Sequence, residues 1–149
     1  MLHIYVDADA CPVKDEVYKV AQRYGLQVTL VANNFMRIPS GDWIKLVVVD
    51  KGLDEADDWI AEEVEKDDIV ITGDIPLAAR CLDEEARVLG HKGRPFTPEN
   101  VSESLATRQL LSQLRDQGIM MGGPPPFAKK DRSLFLQQLD QMVNTIKRS

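Results

Sequence analysis

Four short apolar runs, at residues 2–6, 27–32, 44–49 and 69–72, occupy the first half of the chain. They do not alternate apolar with polar positions as a half-solvated strand does, so each predicts a strand buried on both faces of a sheet. Between the first two runs, Val13, Val17, Val20, Ala21 and Tyr24 recur at helical spacing. Pro12 suits the opening turn of that helix, where its missing N–H costs nothing, and Gly25 ends it. A second helix is predicted over 54–65, with Ala56, Trp59, Ile60 and Val64 as its apolar face. The fourth run leads through Asp74 into a short helix ending near Leu82, and residues 86–89 predict a fifth strand. Residues 33–43 form a polar loop carrying Pro39 and Gly41.

Strands alternating with helices predict a mainly parallel central sheet covered on both faces, a three-layer α/β/α architecture. Beyond Gly90 the pattern changes to a loop at 91–98, a helix at 98–117 capped by Thr97, and an amphipathic helix at 131–147. The stiff GGPPPF stretch at 122–127 is expected to pin that last helix across the body. No repeat or composition break divides the chain, so residues 1–149 are expected to form a single domain with both C-terminal helices packed on it.

Composition narrows the classes. With 149 residues, 44% of them hydrophobic, the chain can bury an ordinary core. No apolar run approaches the roughly 18 residues of a membrane span. Asp7 and Asp9 interrupt the plan of a signal peptide, and a cytoplasmic location is expected. Cys11 and Cys81 make no disulfide framework or CxxC motif and are expected to be buried thiols. A net charge of −6 argues against a protein coated in basic surface, while leaving room for a basic rim around an acidic centre.

The acids are placed unusually. Asp7 and Asp9 follow the first predicted strand, Asp50 the third and Asp74 the fourth, and Asp54, Glu55, Asp57 and Asp58 open the second helix. In open parallel sheets ligands bind beyond the carboxyl ends of the strands, where charges so placed converge. Asp7 and Asp9 admit three readings: a solvated turn with a helix cap, a phosphate-transferring aspartate, or ligands of a divalent cation. Asp54 and Asp57 have the spacing of a capping arrangement, Asp50 suits a turn or an outer ligand, and Asp67 with Asp68 reads as a solvated turn. Hard oxygen donors of this kind suit Mg²⁺ or Mn²⁺.

The EADDWI (55–60) and TGD (72–74) segments resemble motifs of PIN-like and flap-type nucleases, with Asp7 in the place of their first acid. DADACPVK (7–14), EADDWI, TGDIPLA (72–78), HKGRPFTPEN (91–100) and GGPPPFAKKDRSLFLQQLD (122–140) together resemble the YaiI/YqxD family, a bacterial group with a PIN-like fold and no established activity. The resemblance implies Asp7, Asp57, Asp58 and Asp74 as catalytic and metal-ligating acids, with Thr72 orienting Asp74 or a water. Asp9 would be a further ligand, although PIN-like proteins often carry a small polar residue there. The chain departs from flap nucleases at Pro76, where they carry another aspartate of a second metal site.

The basic residues in loops cluster as HKGR (91–94) and AKKDR (128–132). Lys14, Lys92, Arg94, Arg108, Lys129, Lys130 and Arg132 are the candidates for holding a nucleic-acid backbone, with solvated surface as the plainer alternative. His91 is expected to face phosphate or solvent, and Phe96 and Phe127 either stack on a base or plug the core. The leading expectation is a metal-dependent nuclease acting on RNA. Its rival is a nucleic-acid-binding or regulatory protein with a degenerate site. A phosphatase of the haloacid dehalogenase type, suggested by D-x-D at 7–9, fits less well, because residues 75–79 lack a further acid.

Overall fold

The computed structural model describes residues 2–52, 54–116 and 126–148. Six strands form one sheet: β1 (His3–Asp7), β2 (Gln27–Ala32), β3 (Ile44–Val48), β4 (Ile69–Ile71), β5 (Arg87–Leu89) and β6 (Pro95–Phe96), in the order β3-β2-β1-β4-β5-β6. The first five run parallel and β6 is antiparallel to β5. The helices are α1 (Lys14–Tyr24), α2 (Glu55–Glu63), α3 (Ile75–Asp83), α4 (Pro98–Asp116) and α5 (Lys129–Arg148). The three-layer α/β/α architecture with a mainly parallel sheet is therefore present.

Side-chain alternation along the buried strands feeds two cores. Ile4, Val6, Val28, Leu30, Ile69, Ile71 and Leu89 pack with α1 and α5 on one face. Tyr5, Val31, Val70 and Val88 pack with α2, α3 and the start of α4 on the other. Phe135, Leu139 and Val143 of α5 are fully buried, which is why so polar a helix holds its place.

Several boundaries differ from expectation. Pro12 lies two residues ahead of α1 and not in its first turn, because the chain first makes a turn in which Ala10 takes φ 60°. β6 arises inside the segment expected to be loop, since the short Gly90–Arg94 turn sends the chain straight back along β5. Gly93 makes that turn possible: at φ 84°, a Cβ there would lie 2.8 Å from the Leu134 carbonyl carbon of α5. Thr97 does cap α4, exchanging bonds with Asn100 through Oγ1 and Oδ1. Asp54 and Asp57 form no capping arrangement, since Asp54 sits at φ 67° and its side chain accepts no cap bond. Asp68 corrects the reading of a solvated turn: it is buried and accepts hydrogen bonds from the backbone N–H groups of His3 and Glu65. Of the GGPPPF stretch, residues 122–125 lie outside the described residues, while Phe127 packs against the α1–α5 core. Both cysteines are buried thiols.

Candidate functional site

The chain lays β1, β2 and β3 to one side, then returns to place β4 against the other side of β1. The strand order therefore reverses between β1 and β4, and the crevice beyond their carboxyl ends is where such sheets bind ligands. Asp7 is the last residue of β1, and Thr72 and Asp74 directly follow β4. Asp7 shares its strand parity with Tyr5, so it projects toward the layer of α2 and α3.

Thr72 is the pivot. Its fully buried hydroxyl donates to Oδ2 of Asp7 at 2.9 Å and accepts from the backbone N–H of Asp74 at 3.0 Å. Asp74 in turn caps α3, accepting from the Leu77 N–H through Oδ1 at 2.9 Å. One oxygen of each carboxylate is committed to holding the site together, which leaves Asp7 Oδ1 and Asp74 Oδ2 for another partner. Pro76 sits in the first turn of α3, where no N–H is needed, so the residue that departs from the flap-nuclease pattern helps to start this helix.

Asp57 faces the same crevice from α2. Its carboxyl is pushed up to about 6, by burial first and then by the negative charges of Asp74, Asp7 and Asp54. Burial likewise raises Asp7, the charges of Asp74 and Asp9 add to that, and the Thr72 hydrogen bond opposes it. Three carboxylates thus repel one another across one crevice. Their neighbours in sequence go elsewhere. Asp58 is exposed and pairs with Arg80 at 2.7 Å. Asp9 accepts from the Asn33 backbone N–H at 2.8 Å, tying the turn after β1 to the loop after β2. Asp50 is exposed in a turn beyond the edge strand β3, where its carbonyl accepts from the Gly52 N–H.

The donors are all oxygens, which matches a hard divalent cation. Among the described residues no three His, Cys, Asp or Glu side chains close into a ligand set. The fit is therefore to an ion that keeps most of its waters and takes only one or two carboxylates, as Mg²⁺ does. A separate hollow of about 460 Å³, lined by Ala61, Glu62, Arg80, Asp83 and Glu84, lies between α2 and α3 and includes none of the three crowded acids.

The comparisons with known proteins bear on the whole chain. The model of the uncharacterized YaiI/YqxD family matches residues 5–145. The chain belongs to the YaiI/YqxD family. A UPF0178 protein of Paramagnetospirillum magneticum is 56% identical over 148 residues, covering 99% of this chain and 98% of its own. One of Parvibaculum lavamentivorans is 55% identical, with 99% and 97% covered, and one of Rhodospirillum centenum is 51% identical, with 99% of each covered. These relatives carry no stated activity, and no solved structure matches. Among the described residues of this YaiI/YqxD chain, no helix is long and apolar enough to cross a membrane.

The predicted basic residues divide into two groups. Lys14 opens α1, the turn with Lys92 and Arg94 follows β5, and Lys129 and Lys130 open α5. Parallel topology puts Lys14, Lys92 and Arg94 at the carboxyl edge of the sheet, and the contacts of Arg132 with Glu16 and the Pro12 carbonyl bring the start of α5 to that edge as well. Arg132 is otherwise engaged: it pairs with the buried Glu16 at 2.6 Å, donates to the Pro12 carbonyl and lies over the Phe127 ring. The Arg108 side chain lies outside the described residues. His91, expected to face phosphate or solvent, is half-buried with its ring against Gly73, and burial lowers its pKa. Its Nε2 is buried without a partner beside the TGD segment, a placement that its spacing from that segment in sequence could not reveal.

Proposed function

We propose that this protein is a divalent-metal-dependent nuclease, with Mg²⁺ or Mn²⁺ as cofactor and RNA as substrate. The observation that carries this reading is the crowding of Asp7, Asp57 and Asp74 at the point where the strand order reverses. A structural role explains Asp74 as a helix cap, but it leaves the unrelieved repulsion of Asp7 and Asp57 without a purpose. The resemblance to PIN-like nucleases in EADD and TGD points the same way.

Asp7 and Asp74 would hold the ion through the oxygens that the local hydrogen bonds leave over. When bound, the ion supplies Lewis acidity at a phosphoryl oxygen and offsets the carboxylate repulsion. Thr72 fixes the orientation of Asp7 and the start of α3, so that two ligands from different strands keep one geometry. Asp57, the third acid of the crevice, would take a proton from the attacking water. Lys14, Lys92, Arg94, Lys129 and Lys130, on the same edge of the sheet, would hold the flanking phosphates.

The test is cleavage of labelled single-stranded RNA by purified protein in Mn²⁺. Cleavage is expected in the wild type, with loss in Asp7→Asn and in excess chelator. Activity that survives either treatment sinks the proposal. One observation favours a second reading, a nucleic-acid binder without catalysis: Asp58, which the resemblance implies as a ligand, is turned to Arg80. Substrate held but never cut in any divalent metal would decide for that reading.

A further inference from the structure

Phe35 is 83% exposed, the most exposed large apolar side chain among those the structure describes. It lies three residues beyond the end of β2, the strand paired to β1 in a register that sets Val31 beside Asp7. Three extended residues reach no more than about 10 Å, so Phe35 stays on the edge that carries the acidic crevice. Its exposure is not a fraying loop. Asp9 accepts from the Asn33 N–H on one side of it, and Met36 and Ile38 pack into the α1–α5 core on the other. The backbone is anchored at both ends while the ring is held out to solvent. Arg37, two residues on, is exposed as well.

We infer that Phe35 is a base-stacking platform for single-stranded nucleic acid entering the acidic crevice, with Arg37 holding the adjacent phosphate. The inference rests on the nucleic-acid reading of the site, although not on its catalysis. With a net charge of −6 and three crowded acids, repulsion offsets part of what the basic residues of this edge gain from phosphates, so a contact that does not depend on charge is needed beside them. Stacking does not depend on charge, and every base offers a ring face to an exposed phenylalanine. A duplex hides those faces, which makes the occupant a single strand. Phe96 and Phe127, which the sequence offered for this role, are partly buried in the two cores, and among the described aromatic residues Phe35 is the one that stands out in solvent.

The experiment is fluorescence anisotropy of the full chain with labelled U15 and dT15 in Mg²⁺, the probes being checked for integrity on a gel afterwards. Phe35→Ala should weaken binding roughly 5- to 100-fold with its salt dependence unchanged, while Phe35→Trp retains it. Arg37→Ala should weaken binding and flatten the salt dependence. A 2-aminopurine in the strand should be quenched by the wild type and by Phe35→Trp, but not by Phe35→Ala. The inference is overturned if Phe35→Ala binds within about twofold of wild type, or if the wild type binds neither strand. It is equally overturned if sedimentation shows that Phe35→Ala merely converts a dimer to a monomer, making the ring a contact between copies. RNA cleavage is scored separately: a Phe35 effect on binding without any cleavage defeats the nuclease reading alone.

Discussion

At the scale of single residues, Asp57 offers the most direct measurement. Burial and the neighbouring acids push its carboxyl up to about 6 in the folded protein, well above the ordinary carboxylate range. The native state therefore holds that proton more tightly than the unfolded chain does. Where a raised acid is ionised, folding is penalised, so stability falls as pH rises from the lower value through the upper one. Asp57→Asn removes the penalty. It should raise the melting temperature at neutral pH, with the gain shrinking as pH falls through about 6 and gone by roughly pH 4. Melting curves across that range check it, and a gain independent of pH would mean that the Asp57 charge is not the cause. Thr72 is the complementary case, a buried hydroxyl whose donor and acceptor roles are both used within the site. Replacing such a group strands two polar partners, which is why a residue that does no chemistry can be as critical as one that does.

Between elements, the decisive contact is that of α1 with α5. Arg132 reaches from the start of α5 to the buried Glu16, and Asp140 meets both Arg23 and Tyr24 near the other end of α1. Arg132→Ala leaves a buried carboxylate without its cation and should cost about 1–3 kcal/mol, the Arg side being half-exposed and screened. On a Glu16→Gln background the same change should cost much less. Denaturant titration of the four proteins closes the cycle, and equal costs on both backgrounds would show that the pair is not coupled. The same structural duty separates Arg132 from Lys129 and Lys130, whose exposed side chains remain suited to a phosphate backbone.

For the molecule as a whole, the acids make a linkage argument. Three like charges in one crevice oppose folding until a cation arrives, so a divalent ion should stabilise the native state. At a hundredfold excess over Kd, the gain for a chain of this length amounts to roughly 5–10 °C in Tm. Mg²⁺ or Mn²⁺ should therefore raise the Tm of the wild type. Asp74→Asn should reduce that gain, while Asp58→Asn, whose parent carboxylate is engaged with Arg80, should leave it intact. Differential scanning calorimetry with and without metal reads all three. An identical rise in wild type and Asp74→Asn would indicate nonspecific ion binding.

The sequence by itself determined the architecture and the place of the crevice. Unalternated apolar runs specify strands buried on both faces, and an acid at the end of such a run must lie at the carboxyl edge of the sheet. Asp7 and Asp74 followed from that rule. The family was likewise legible in motifs spread along the chain. Only the tertiary structure decided which way each side chain turns. Asp57 and Asp58 are adjacent in sequence, yet successive helix positions point about 100° apart, so one meets the crevice and the other meets Arg80. Arg132 looked like a surface cation until α5 was laid across α1, and Asp68 like a turn residue until it met the His3 backbone. Phe35 carries no local signal, because exposure is the absence of neighbours, and neighbours distant in sequence are set by packing. Periodicity records what a residue does for its own element, whereas a functional site is made where several elements end.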